Sequence, residues 1–210
     1  MAIDIDAVNV ALGRVAEALR ADADRLTELD QKMGDGDLGT TAKKVAKALD
    51  AYVADGGDAT DVGGHIAKAG MAANKAAAST MGTLLATAAM RAGKVVQGAS
   101  DIAPDQLGDM LTAAAEGMQQ RGKANLGDKT ILDAIFPAAE ALKAALADGK
   151  PLDQAADAAI AAAEDGRDSV TPNRSKIGRA GWVGERTEGL VDPGCALCVT
   201  VLKALKGETA

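Results

Sequence analysis

Apolar residues recur at steps of three and four along most of this chain, and almost none of them is aromatic. Tyr52, Phe136 and Trp182 are its only members of the Phe, Tyr and Trp set. A core must therefore be assembled from Ala, Leu, Ile, Val and Met. Alanine is the strongest helix former and lets helices pack closely.

Ile5, Val8, Leu12, Val15, Leu19 and Leu26 predict a helix over 5–28. The same spacing predicts helices over 80–97, 104–120, 128–147, 151–166 and 194–206. Pro104 suits a first helical turn, whereas Pro137 should kink its helix. Two weaker stripes, at 40–54 and 60–77, bring the count to eight. Gly/Asp-rich breaks fall near 34–37, 55–58, 98–101, 122–128 and 148–150. No stretch alternates with period two, so no sheet is expected and the fold class is all-α. The longest irregular stretch, 168–193, is rich in Gly, Arg and Pro. A loop of that length inside a compact helical domain is usually functional or disordered.

The 210 residues suffice for one domain, 1–210, with a sizeable core. A net charge of −7 argues against a nucleic-acid partner, which would want a basic surface. No run of 18 apolar residues exists, so no membrane span is expected. The first residues, MAIDIDAVNV, lack a signal-peptide pattern, and a cytoplasmic location is the expectation.

Three stretches carry chemistry. In LDQKMGDGDLGTT, residues 29–41, Asp30, Asp35 and Asp37 crowd together among glycines. Carboxylates this close repel unless a cation sits among them, and a hard divalent ion with oxygen ligands relieves the repulsion. A calcium loop of the EF-hand type fails on position, because Ala46 or Lys32 falls where ligands are required. The structural alternative is a helix end followed by an N-cap at Asp37 or Thr40. The following helix start offers free N–H groups to phosphate.

RGKANLGDKT, residues 121–130, approaches a phosphate-binding P-loop but places Asp128 between Gly127 and Lys129, with a helix rather than a strand before it. Asp128 is expected to cap the next helix, with Gly122 and Thr130 lining a ligand. In residues 175–195, Lys176, Arg179 and Arg186 stand among glycines. A local cationic loop in an acidic protein suggests an anionic ligand such as phosphate. Cys195 and Cys198 form C-x-x-C without the context of a redox or zinc site and are expected to be packed, reduced thiols. His65, the only histidine, is expected at the surface or as a cap.

Together these stretches resemble the nucleotide-binding L subunit of dihydroxyacetone kinase and the homologous C-terminal domain of single-chain kinases. The anchors are LD....GDGD.GT at 29–40, GDKT.LDA at 127–134 and GRA..(V)GER..G..DPG at 178–194, covering nearly the whole chain. The resemblance implies an antiparallel, up-and-down eight-helix barrel with Mg-nucleotide, as ADP or ATP, at one end. It implies that Asp30, Asp35 and Asp37 hold two Mg²⁺ ions. It places nucleotide contacts at Leu38, Gly39, Thr40, Thr41, Ser79, Thr80, Gly122, Thr130, Ile131, Arg179, Asp192, Pro193 and Gly194. Arg179 is the residue expected to clamp the transferring phosphoryl group, and the 168–193 loop to close as a lid.

The chain departs from the family at Leu38, where a histidine is usual, and at Ala77 and Ala78, where glycines are common. The resemblance implies that the acceptor ketose is bound on a separate K subunit, so this chain would be half of a phosphotransferase. A phosphocarrier protein (M subunit) and a homodimer are further partner options. Alternatives are a subunit serving a four-carbon, erythrulose-type ketose, and a non-catalytic adaptor or coactivator with this fold.

Overall fold

The computed structural model describes residues 3–56 and 61–208. Residues 57–58 of the expected break at 55–58, and the first residue of the helix expected at 60–77, lie outside the described residues. Among the described residues ten α-helices carry the chain: α1 (Ile5–Ala21), α2 (Ala23–Met33), α3 (Leu38–Ala54), α4 (Val62–Ala76), α5 (Thr80–Val95), α6 (Gln106–Gly122), α7 (Leu132–Ala147), α8 (Leu152–Val170), α9 (Gly178–Val183) and α10 (Pro193–Lys206).

Eight of these close a ring, each packed on the next in the order α1, α3, α4, α5, α6, α7, α8, α10 and back to α1. Pair contacts fix their directions. Gly63 at the start of α4 meets Gly93 near the end of α5. Lys206 at the end of α10 pairs with Asp153 and Asp157 near the start of α8. Thr200 of α10 donates to Asp22, just past α1. The result is the antiparallel eight-helix barrel expected. In such a ring alternate helices start at the same end, which gathers the N-termini of α3, α5, α7 and α10 together.

Alanine does what its abundance predicts. Ala16, Ala46, Ala115, Ala134, Ala138 and Ala163 are fully buried at helix interfaces. One close approach is between glycines: a Cβ added at Gly63 would lie 2.3 Å from the Gly93 carbonyl oxygen, so α4 and α5 touch backbone to backbone.

Several expectations need correction. The helix expected at 5–28 is two, broken at Asp22. Its buried carboxylate accepts from Arg25 Nε at 2.6 Å and from Thr200 Oγ1 at 2.6 Å, so the break is a tether between α2 and α10. A minimal sheet exists: β1 (Ile3–Asp4) pairs antiparallel with β2 (Asp101–Ile102). Two-residue strands are too short to leave a period-two signature.

Pro137 does not end α7. It withdraws the N–H that Asp133 O would accept, and Gly166 of α8 lies against that carbonyl so closely that a Cβ there would be 2.0 Å away. The helix expected from 128 begins instead at Leu132, after a turn. The stretch 168–193 is not one irregular loop: α8 runs to Val170, then α9 and a 3-10 turn (Gly184–Thr187) follow. No helix among the described residues is long and apolar enough to cross a membrane.

Candidate functional site

At the end where four helices begin, a cavity of about 950 Å³ opens. Asp30 near the end of α2, with Asp35 and Asp37 in the turn before α3, lines one side, and one ligand oxygen of each lies within 4.8 Å of the others. The turn is held by backbone economy. Asp30 Oδ2 accepts the Leu38 N–H at 3.1 Å, so it is Asp30 that satisfies the start of α3. Asp37 stands at the N-cap position without a side-chain cap bond, against the alternative reading of Asp37 or Thr40 as the cap. Gly36 needs its glycine, with φ +75° and Gln31 Cγ 2.4 Å from where a Cβ would be.

The acidic turn is met by Arg179 of α9. Its guanidinium pairs with Asp35 and lies 3.5 Å from Asp37. The cationic loop therefore reaches across the mouth of the cavity, and a cationic group already sits against two of the three carboxylates.

Leu38, Ser79, Thr80, Gly122, Thr130, Ile131, Asp192, Pro193 and Gly194 line the cavity, together with the three aspartates and Arg179. Gly39, Thr40 and Thr41 do not. A Cβ on Gly39 would lie 2.0 Å from Ala23 O, so this glycine serves the contact of α3 with α2. Thr40 points to solvent, and Thr41 is buried, donating to Ser79 Oγ at 3.2 Å. Ser79 in turn caps α5, accepting from Gly82 N at 3.1 Å. Asp192 caps α10 through Cys195 N at 2.7 Å. Burial pushes the Asp192 carboxyl up to about 6.

The 122–131 turn differs from expectation. Asp128 accepts from Asn125 N behind it, at 2.8 Å, and does not cap α7. Asp133, in the first turn of α7, instead holds the turn before the helix, accepting from Thr130 N at 2.8 Å while Thr130 Oγ1 accepts from Leu132 N at 3.3 Å. The pair is reciprocal in the manner of a capping box, although the N-cap position itself, Ile131, has no side-chain bond. Thr-x-x-Asp at 130–133 was its signal in the sequence, masked by the resemblance to a P-loop.

Lys129 was missed. It is 1 % exposed, lies at φ +62°, and lines the floor of the cavity. Met81, Leu84, Met118 and Leu132 give the wall an apolar part, beside the polar Asn74, Thr83 and Arg121. His65, expected at the surface or as a cap, is buried at the opposite end, between Asn9 Oδ1 at 2.8 Å and the Tyr52 hydroxyl. Cys195 and Cys198 are free and buried, as expected. Burial raises both thiols, Cys198 to about 12, so neither is a thiolate at neutral pH.

The barrel, with an acidic turn facing four helix N-termini, defines an all-α class suited to holding an anion through a metal. Residues 32–207 match the DAK2 domain, and the chain belongs to that family. It is 30% identical over 198 residues to the ADP-binding subunit DhaL of the PEP-dependent dihydroxyacetone kinase of Escherichia coli (strain K12), covering 92% of each chain. It is 33% identical over 180 residues to the corresponding subunit of kinase 2 of Listeria innocua, covering 84% of this chain and 82% of that one. The native crystal structure of the dihydroxyacetone kinase of C. freundii matches with a TM-score of 0.73 at 27% identity. That match covers 95% of this chain but only 34% of the kinase.

Proposed function

We propose that this chain is the ADP- or ATP-binding subunit of a two-component kinase that phosphorylates dihydroxyacetone or a similar short-chain ketose held on a separate K subunit. The observation that carries this reading is the convergence of the Asp30, Asp35 and Asp37 oxygens in front of four helix N-termini.

The donor set fits magnesium. It is all oxygen and anionic, and Mg²⁺ is usually bound by a few carboxylates plus substrate phosphates. The Arg179 guanidinium against Asp35 and Asp37 supports a site that attracts positive charge. Asp30, Asp35 and Asp37 would hold the metal, as two ions in our reading. Bound there, Mg²⁺ would supply charge neutralisation to the nucleotide phosphates.

The chain's own groups do the rest by positioning. Backbone N–H groups at the starts of α3, α5, α7 and α10 donate to phosphate oxygens, where the helix dipoles favour negative charge. The apolar wall of Met81, Leu84, Met118 and Leu132 suits the flat face of a purine. Arg179, on α9 at the cavity mouth, stabilises charge on the phosphoryl group as it moves, and α9 excludes water over it. The acceptor hydroxyl comes from the partner, and either free ATP or a phosphocarrier protein recharging bound ADP can be the donor.

A non-catalytic coactivator role would not need the complete aspartate triad together with Arg179. A four-carbon ketose as acceptor changes nothing on this chain, because the acceptor contacts lie on the partner.

Thermal melts test the reading. Saturating Mg-ADP should raise Tm by several degrees, and Mg²⁺ alone by little, since a ligand that binds only the folded state stabilises it by mass action. Asp35→Asn should abolish the Mg-ADP shift while leaving the apo Tm nearly unchanged, because the relieved carboxylate repulsion is offset by the lost exposed pair with Arg179. A Tm that does not move with Mg-ADP would count against the assignment.

A further inference from the structure

Lys129 occupies a position that phosphate binding does not explain. Its ammonium donates to the carbonyls of Thr171 at 2.7 Å, Asn173 at 2.8 Å and Thr187 at 2.6 Å. All three of its protons are thereby used, and all on main chain. Thr171 lies just past α8 and Thr187 ends the 3-10 turn, so the two strands of a neck are pinned to one atom. Between them lies the segment that carries Arg179.

Other bonds close the same neck. Gly189 N donates to Thr171 O at 3.0 Å, Ser175 N to Thr187 Oγ1 at 2.9 Å, and Lys176 N to Asp128 O at 3.1 Å. The last joins the neck to the residue before Lys129. The residue after it, Thr130, lines the cavity. Burial lowers the pKa of Lys129, opposed by the nearby carboxylates of Asp192 and Glu188. A neutral side chain of similar length would avoid that desolvation cost but would strip the Asn173 carbonyl of its donor and leave Thr171 O and Thr187 O with only Gly189 N and Leu190 N.

We propose that Lys129 is a positioning residue: it clasps the neck of the 171–187 lid and so sets Arg179 over Asp35 and Asp37. The clasp stands on the hydrogen bonds alone; its consequence for the transfer rate rests on the kinase reading.

The test uses the full chain as Lys129→Met, Lys129→Gln, Arg179→Ala and the double variant Lys129→Met/Arg179→Ala, with the partner subunit added for turnover. Trypsin cleavage at Arg174, Lys176 and Arg179 should be ~10-fold faster or more in Lys129→Met, with helicity unchanged, since cleavage follows the population of the open lid. The affinity for Mg-ADP should change by less than about 3-fold while kcat falls by ~100-fold. The double variant should be no slower than Arg179→Ala, because both changes remove the same placed charge.

Unchanged lid cleavage overturns the clasp, whatever happens to turnover. Faster lid cleavage with full kcat, or strictly additive losses in the double variant, overturns its coupling to Arg179. If the wild-type chain binds no nucleotide, the kinase reading fails while the cleavage comparison still decides the clasp. Should neither Lys129 variant fold, the native protein decides. Its Lys129 ammonium should give a slowly exchanging ¹⁵N resonance, and absence of that resonance overturns the proposal.

Discussion

Asp192 shows how one residue can hold a helix start and carry a pH dependence. It is buried, caps α10, and has its carboxyl lifted to about 6 by burial. An unfolded aspartate titrates at about 3.9. The folded chain therefore holds this proton more tightly than the unfolded chain does. Its contribution to stability is fully present below about pH 4 and is lost as pH rises to about 6. Asp192→Asn keeps an oxygen for Cys195 N and has no such loss. In urea melts it should gain on the wild type by roughly 1–3 kcal/mol between about pH 4 and 6, and by nothing more above that window. A difference that stays flat from pH 4 to pH 7 would refute the buried charge. At this scale the sequence was most legible where chemistry demands unusual neighbours. Asp30, Asp35 and Asp37 repel unless compensated, and the structure brings their oxygens together. It was least legible where a residue serves the backbone. Gly39 and Thr41 look like ligand contacts and are packing residues, and Lys129 looks like a failed phosphate motif and is a buried donor. Nothing in the local spacing names the three carbonyls Lys129 reaches, because they lie 42 to 58 residues away.

Elements in this barrel are spaced by their smallest residues. At Gly93 a Cβ would lie 2.3 Å from Gly63 O, which is backbone and cannot move aside. Gly93→Ala should therefore destabilise by ~1–3 kcal/mol, the usual cost of overpacking, even though alanine is the better helix former. Gly13, in α1, has nothing within 4 Å of its missing Cβ. Gly13→Ala should have the opposite sign and stabilise by roughly 0.5–1 kcal/mol. Chemical denaturation of the two variants side by side checks the pair; equal signs would mean that the α4–α5 contact is looser than described. The same geometry explains which elements could be read in advance. The eight ring helices bury one apolar face each, and that face writes a period of three to four residues. The break at Asp22 comes from a tether to Arg25 and Thr200, the latter on α10, and α9 has no buried face at all. Neither leaves a periodic trace.

At the scale of the whole molecule, the two ends of the barrel differ. The open end has the aspartates, four helix starts and the α9 lid. The far end buries His65 against Asn9 and Tyr52. The apolar side chains and anionic turn of the cavity suit a nucleotide, and the acceptor ketose is proposed to lie on the partner. The purified chain should then phosphorylate no ketose by itself, and activity should appear on adding a substrate-binding partner; turnover by the chain alone in a coupled assay would refute this. The scarcity of aromatics has an optical consequence. Trp182 is the only indole, it lies on α9, and it is 94 % exposed. Nearly all of the intrinsic fluorescence on red-edge excitation must come from that one segment. A stopped-flow mixing trace would thus record the closing and opening of α9 alone, in real time and without a label, while the rest of the barrel stays dark.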